Sequence, residues 1–406
     1  MSRILEQVRV LDLSRVLAGP WATQNLADLG AEVIKIERPG AGDDTRRWGP
    51  PFVHDAEGRE GDAAYYLACN RGKKSVTLDI ASARGREIAR ELAMKSDVLV
   101  ENFKVGDLAR HGLDAATLTL SNPRLVYCSI TGFGQDGPYR DRPGYDFIVQ
   151  GLGGLMSVTG ERDDLPGGGP QKVGVAVSDL FTGMYATSAI LAALLERERS
   201  GRGQTIDLAL LDAQVAMLAN LSSSYFVSGE VPGRMGNAHM NIVPYHVFRA
   251  ADAFLVVAVG NDGQFNAFCE VLGELSWATD PRFATNPQRV RHREVLVDLI
   301  EERLSTANAD HWLERLEAAG VPCGPINDLA QTFEDPQVRH RGLQVRSAHP
   351  LAGEVSMVAS PMRFSRDPVA YDRAPPLLGQ HTDEVLGRLL GLDFAALERL
   401  RAERVI

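Results

Sequence analysis

The chain has 406 residues, 44% hydrophobic and 24% charged, with a formal net charge of −10. That length accommodates two domains, each with its own core, and the composition is that of a soluble globular protein. The negative balance argues against a nucleic-acid partner, which needs a basic face for phosphates, but leaves room for a local basic pocket that takes a small anion.

The opening "MSRILEQVRVLDLS" runs directly into an alternating strand pattern, with no charged-then-apolar signal segment. "GPWATQNLADLG" predicts a helix and "AEVIKIERPG" a strand that ends on Arg38. After a Gly/Asp-rich loop come the strand "KKSVTLDI", the helix "SARGREIARELAMKS", and the strands "DVLVENF" and "RLVYCSITGFG". This βαβ rhythm predicts an α/β protein with a doubly wound, mostly parallel, Rossmann-like sheet. No GxGxxG opens a helix, so a dinucleotide is not expected, and "LPGGGPQ" (165–171) reads as a flexible lid or connector. "KVGVAV" predicts a buried strand over 173–177, and the spacing from Thr182 onward predicts a helix that stops at Ser200-Gly201. Residues 1–200 are therefore expected to form the large domain, 201–224 a helical linker, 225–330 a smaller α+β domain, and 331–406 a segment returning to the first. No apolar run approaches the roughly 20 residues of a membrane span, so no membrane partner is expected. Cys69, Cys128, Cys269 and Cys323 are scattered, with no CxxC pair and no metal-ligand spacing, which points to a reduced, cytoplasmic protein without a metal site.

One acid stands out. Asp179 lies between the predicted strand and helix in "KVGVAVSDLFTGMYA". It can serve as a helix N-cap. Equally, a carboxylate in the crevice at the carboxyl edge of an open α/β sheet can serve as a covalent nucleophile. Position alone leaves both open.

Several separated stretches, in order, resemble the class III CoA-transferases, the CaiB/BaiF family. They are "VLDLSRVLAGPWATQNLADLGAEVIKIERPGAGD", "NRGKKSVTLD", "DVLVENFKVGDLARHGL", "ITGFGQDGPYRDRPGYD", "SDLFTGMYATSAILAALLERERSGRGQTIDLALLD", "GVPCGPINDL" and "LLGQHTDEVL". The resemblance covers essentially the whole chain and implies that Asp179 is the nucleophile, forming an aspartyl anhydride and then an aspartyl-CoA thioester. It implies CoA or an acyl-CoA as substrate, with no tightly bound cofactor. It also implies a CoA site built from Val16, Ala18, Arg38, Leu78, Asn102, Phe103, Lys104, Arg110 and Tyr145, and two chains interlocked as rings in a homodimer. Racemases of the same superfamily carry "GHD" where this chain has "GYD"; a phenol with an ordinary pKa near 10 is a poor base near neutral pH, so Tyr145 favours a transferase over a racemase or epimerase. Leu17 and Pro143 depart from the oxalate-using branch, and "GNAHMNIVPYHVF" is similar to branches that use succinyl-CoA with dicarboxylates. Arg234, His239 and His246 are the candidates for a second acceptor carboxylate. A CoA-ester binding protein without turnover is the reading from a different class.

Overall fold

A computed structural model describes residues 3–406, which divide into two compact units. The larger holds the chain up to Leu155, Val173–Ser223 and Pro336–Ile406; the smaller holds Met156–Lys172 and Ser224–Asp335.

The larger unit is built on six strands: β1 (Arg9–Asp12), β2 (Glu32–Glu37), β3 (Lys74–Thr77), β4 (Val98–Glu101), β5 (Val126–Thr131) and β6 (Thr205–Ala209). All pairings are parallel, in the order β3-β2-β1-β4-β5-β6. The order reverses between β1 and β4, and the carboxyl edge beside such a switch is where doubly wound sheets bind ligands.

Both faces are covered, so each strand is apolar on alternate sides. Leu11, Ile34, Val76 and Leu99 point to one face, against Ile88 and Leu92 of α2 (Ala83–Met94). Val10, Val33, Val98, Val126 and Cys128 point to the other. There they meet Ala22 and Leu26 of α1 (Ala18–Asp28) and Ala186, Ile190 and Ala193 of α4 (Val177–Ser200). Between α2 and α4 lies α3 (Asp146–Leu152), and α5 (Leu210–Met217) follows β6. Each fully buried Val, Leu or Ile contributes about 1.5–3 kcal/mol relative to leaving it exposed.

The smaller unit pairs β7 (Tyr245–Arg249) with β8 (Phe254–Ala258) as an antiparallel hairpin, with β9 (Cys323–Pro325) on the other side of β8. Phe248, Leu255 and Val257 pack there with Phe265 and Phe268 of α6 (Asp262–Leu272), Leu296 and Ile300 of α7 (Arg293–Leu304), and Trp312 of α8 (Ala309–Ala318). The chain then returns to the larger unit through the hairpin of β10 (Gln344–His349) and β11 (Gly353–Val358). It ends in α9 (Thr382–Leu390) and α10 (Phe394–Ala402), whose Val385, Leu386, Leu397 and Leu400 join the Leu11 core.

Three expectations change. Residues 173–176 form no strand; α4 begins at Val177, five residues before Thr182, and Val175 is exposed. Residues 201–224 are no simple helical linker, because they contain β6, which pairs with β5. And α4, at 24 residues, is long and apolar enough by length and composition to cross a membrane, where no such run was expected. Its buried positions Thr182, Gly183, Ala186, Ile190, Ala193 and Arg197 recur at helical spacing and form a stripe facing the sheet and α1, which is the pattern of a core helix. A Cβ on Gly183 would meet the Ala18 carbonyl oxygen at 2.7 Å, so glycine sets how closely α1 and α4 approach.

Candidate active site

Asp179 is the third residue of α4 and does not cap it. The N-cap residue, Ala176, has no side chain able to accept. Asp146, the first residue of α3, does the capping from outside: its Oδ1 accepts the Ser178 N–H at 2.8 Å and the Asp179 N–H at 3.3 Å. Its Oδ2 accepts from the Gln150 amide at 2.7 Å, and the Gln150 Oε1 in turn accepts the Val173 N–H at 3.0 Å. The Ser178 hydroxyl donates to Gln214 Oε1 on α5 at 2.6 Å. The start of α4 is thus fixed on three sides by α3, α5 and the preceding loop.

The Asp179 carboxylate itself accepts no hydrogen bond from any described residue. It is half-buried. Burial, and second the Asp146 charge, push its pKa from 3.8 up to about 7. A poorly solvated carboxylate without donors, poised near neutrality, is a competent nucleophile. The capping alternative left open by the sequence falls to Asp146.

Asp179 lines a cavity of about 400 Å³ at the carboxyl edge of the sheet. The wall is formed at the ends of successive strands: Arg15 to Ala18 after β1, Asn102 to Val105 after β4, Ile130 to Gly132 at the end of β5, and Leu210 after β6. Arg140 to Asp146, with Asp44 and Asp107, complete it. Gly132 and Gly144 touch: a Cβ on Gly132 would lie 2.5 Å from the Gly144 Cα, so two glycines bring the Tyr145-Asp146 segment against the end of β5. Arg15, Lys104, Arg140 and Arg142 supply positive charge to the wall, of which Lys104 and Arg142 carry no ion pair with a described acid.

A second cavity of about 200 Å³ adjoins along the same edge, lined by Leu13, Arg38, Leu78, Asp79, Ile80 and His111 among others. Arg15 and Phe103 line both cavities. The Arg15 guanidinium stacks over the Phe103 ring at 5.2 Å, and its buried Nε has no partner. The first cavity holds Asp179 with four cations and the acids Asp44, Asp107, Asp141 and Asp146; the second sets Leu13, Ile36, Leu78, Ile80 and Phe103 beside Arg38 and other charged groups; and the two share a boundary. An elongated anionic ligand with a flat apolar end fits that pair.

The structure sorts the residues implied by the resemblance. Val16, Ala18, Asn102, Phe103, Lys104 and Tyr145 line the Asp179 cavity; Arg38, Leu78 and again Phe103 line the second. Arg38 pairs with Asp44 at 2.9 Å. Asn102 spends its amide on the chain, donating to the Arg15 carbonyl at 2.7 Å and accepting the Arg15 N–H at 2.9 Å. Arg110 is exposed, pairs with Asp107 and lines neither cavity; its neighbour His111 lines the second, with a buried Nδ1 that has no partner. Leu17 and Pro143 are wall residues. Arg234, His239 and His246 belong to the smaller unit. Arg234 is committed there to Asp163 and to the Glu161 carbonyl at 3.3 Å, and His239 Nδ1 accepts the Asn241 N–H at 3.0 Å. Burial lowers the His246 pKa, with Arg293 adding to it.

Sequence reasoning passed over Arg15, His111 and Asp146. Only Asp146 carried a visible signal, as the acid of "GYD", and there attention fell on the tyrosine.

The model described as CoA-transferase family III matches residues 5–382. The chain is 51% identical over 385 residues to a succinate–glutarate CoA-transferase of Agrobacterium fabrum, with 95% of each chain covered. It is 44% identical over 402 residues to the human succinyl-CoA:glutarate CoA-transferase, covering 99% of this chain and 90% of that one. The crystal structure of a CaiB/BaiF family protein from Brucella suis matches with a TM-score of 0.85 at 47% identity, over 96% of this chain and 100% of that one. The chain belongs to CoA-transferase family III.

Proposed function

We propose that the protein moves CoA from succinyl-CoA to a dicarboxylate acceptor, with Asp179 as the covalent nucleophile. The observation that carries this is the half-buried Asp179 carboxylate, which accepts no hydrogen bond from a described residue, in a cavity whose wall includes Arg15, Lys104, Arg140 and Arg142 and that shares a boundary with a second cavity. The names of the relatives at 44–51% identity supply the donor and the dicarboxylate class.

The chemistry follows from a carboxylate and a thioester. Asp179 attacks the thioester carbonyl, forming a mixed anhydride and releasing CoA thiolate. The thiolate attacks the Asp179 carbonyl of the anhydride, giving an aspartyl-CoA thioester and releasing succinate. The acceptor carboxylate displaces CoA from that thioester to form a second anhydride. The thiolate then attacks the acceptor's carbonyl, giving the new CoA ester and restoring Asp179. The acyl bond energy is conserved throughout, so no ATP is consumed. The N-terminus of α1, uncapped by any side chain, opens at Leu17 and Ala18 on the same cavity, where its N–H groups suit a developing oxyanion. The adenine end occupies the second cavity against Leu78 and Phe103, and Arg38 meets a phosphate.

We place the chain in a homodimer. Phe147, Ile148 and Leu152 of α3 and Phe181, Met184 and Tyr185 of α4 are all exposed, a contiguous kind of surface that monomers seldom leave open. The four free cysteines fit a reducing, cytoplasmic setting.

The test is to incubate the protein with succinyl-CoA and a panel of mono- and dicarboxylic acids, following new CoA esters by mass spectrometry, beside Asp179→Ala. Transfer to a dicarboxylate that the variant loses is the expected result; inversion of a chiral acyl-CoA without transfer would support a racemase instead.

A further inference from the structure

Between the two cavities the chain turns at Ser14–Val16, and Val16 has φ 69°. That left-handed conformation is unfavourable for a β-branched residue and persists only where surroundings over-determine it. Here they do. The Ser14 N–H donates to Asp12 at 2.9 Å and its carbonyl accepts from Lys35 Nζ at 2.8 Å. Asn102 holds both main-chain groups of Arg15. The Val16 N–H lies 3.3 Å from both Asp43 oxygens, and its carbonyl accepts from Cys69 Sγ at 3.5 Å. Every main-chain N–H and C=O from Ser14 to Val16 is therefore bound by a side chain, and all of these side chains but that of Asp12 come from distant parts of the sequence.

The clamp is itself anchored. Lys35 and Asp43 pair at 2.9 Å with both side chains wholly buried, and Asp12 pairs with Lys73 at 3.1 Å and accepts from Thr23 at 2.6 Å. Burying two ion pairs costs desolvation, so this is an expensive way to stabilise a fold. What the turn does deliver is placement: Arg15 sits on the boundary of both cavities, and Val16, Leu17 and Ala18 follow into the wall beside Asp179.

We propose that the Ser14–Val16 turn is held under strain for the sake of the CoA site, and that Asp43 and Asn102 are positioning residues that act through it. The backbone conformation at Val16 keeps the passage between nucleotide cavity and nucleophile in its binding shape before the ligand arrives. This rests on the CoA-transfer reading above.

The decisive variants are Val16→Gly, which tolerates the left-handed conformation and frees the turn, and Val16→Ala, which trims the side chain but keeps the strain. For Val16→Gly we expect a melting temperature raised by a few degrees, together with CoA binding weakened at least tenfold by calorimetry and a matching rise in KM for succinyl-CoA. Val16→Ala should show no thermal gain. Asp43→Asn, which retains an acceptor for Val16 but removes the Lys35 ion pair, should raise KM more than it lowers kcat; if that variant fails to fold, the Val16 pair still decides. A Val16→Gly protein with unchanged CoA affinity, or with a lowered melting temperature, would overturn the proposal. Because CoA binding is measured directly, a wild-type protein that binds CoA but transfers nothing refutes the transfer reading and leaves the role of the turn separately measurable.

Discussion

An active-site acid that is kept poorly solvated should destabilise the protein that carries it, and Asp179 lets that be measured. Its pKa is raised from 3.8 to about 7, so the folded state prefers the protonated carboxyl. The stability this group allows is complete below pH 4 and is lost as the pH rises through 7. A rise of about three in pKa corresponds to about 4 kcal/mol lost by pH 8, and under 2 kcal/mol by pH 5, where the folded carboxyl is still protonated. Solvent reaching the half-buried group trims the pH 8 figure to about 2–4 kcal/mol. Asp179→Asn keeps the shape and removes the charge. Scanning calorimetry should then show a melting temperature higher by about 4–8 °C at pH 8, taking about 2 °C per kcal/mol for a unit of this size, and a gain no more than half as large at pH 5. Equal gains at both pH values, or a loss at pH 8, would show that Asp179 is not held in a charge-averse setting.

Three further outcomes follow from the same geometry. Asp146→Asn retains an acceptor for the Ser178 and Asp179 N–H groups but removes the neighbouring charge, so the acid limb of kcat/KM should move to lower pH by about one pH unit in a profile from pH 5 to 9; an unmoved limb means that burial alone sets the Asp179 pKa. Arg38→Gln should raise KM for succinyl-CoA about five- to tenfold in initial-rate kinetics with kcat within about twofold, since Arg38 lines the second cavity and not the one that holds Asp179. Gly183→Val forces a side chain against the Ala18 carbonyl and Trp21, and denaturant titration should show a loss of about 2 kcal/mol or more; a neutral result would mean that α1 and α4 separate freely.

The five strands read from the first half of the sequence are those whose apolar runs are buried on both faces, where pattern and burial coincide. β6 escaped notice because, unlike β3 at the other edge of the sheet, it leaves Thr205 and Asp207 exposed and only alternate positions covered, so it carries no continuous apolar run. The run at 173–177 misled for the opposite reason: it has strand composition but no partner to pair with, and Val175 faces solvent. At the site, Asp179 was visible as an acid in an odd place, but only the family resemblance gave it a role. The capping by Asp146 spans about 30 residues and the clamp on Arg15 spans 87, and contacts of that separation leave no local pattern to read. Arg110, which the resemblance puts in the CoA site, is exposed and paired with Asp107, while its neighbour His111, which no sequence signal marked, lines the second cavity.

The central claim is that Asp179 carries the CoA during turnover. The most direct measurement is peptide mass spectrometry on protein quenched in acid after mixing with succinyl-CoA alone. The account predicts that the peptide containing Asp179 gains the mass of CoA less one water, that succinate is released in equal amount, and that Asp179→Asn gains nothing. CoA transfer that proceeds at the wild-type rate with no adduct on that peptide, or an adduct that persists in the Asp179→Asn protein, would contradict it.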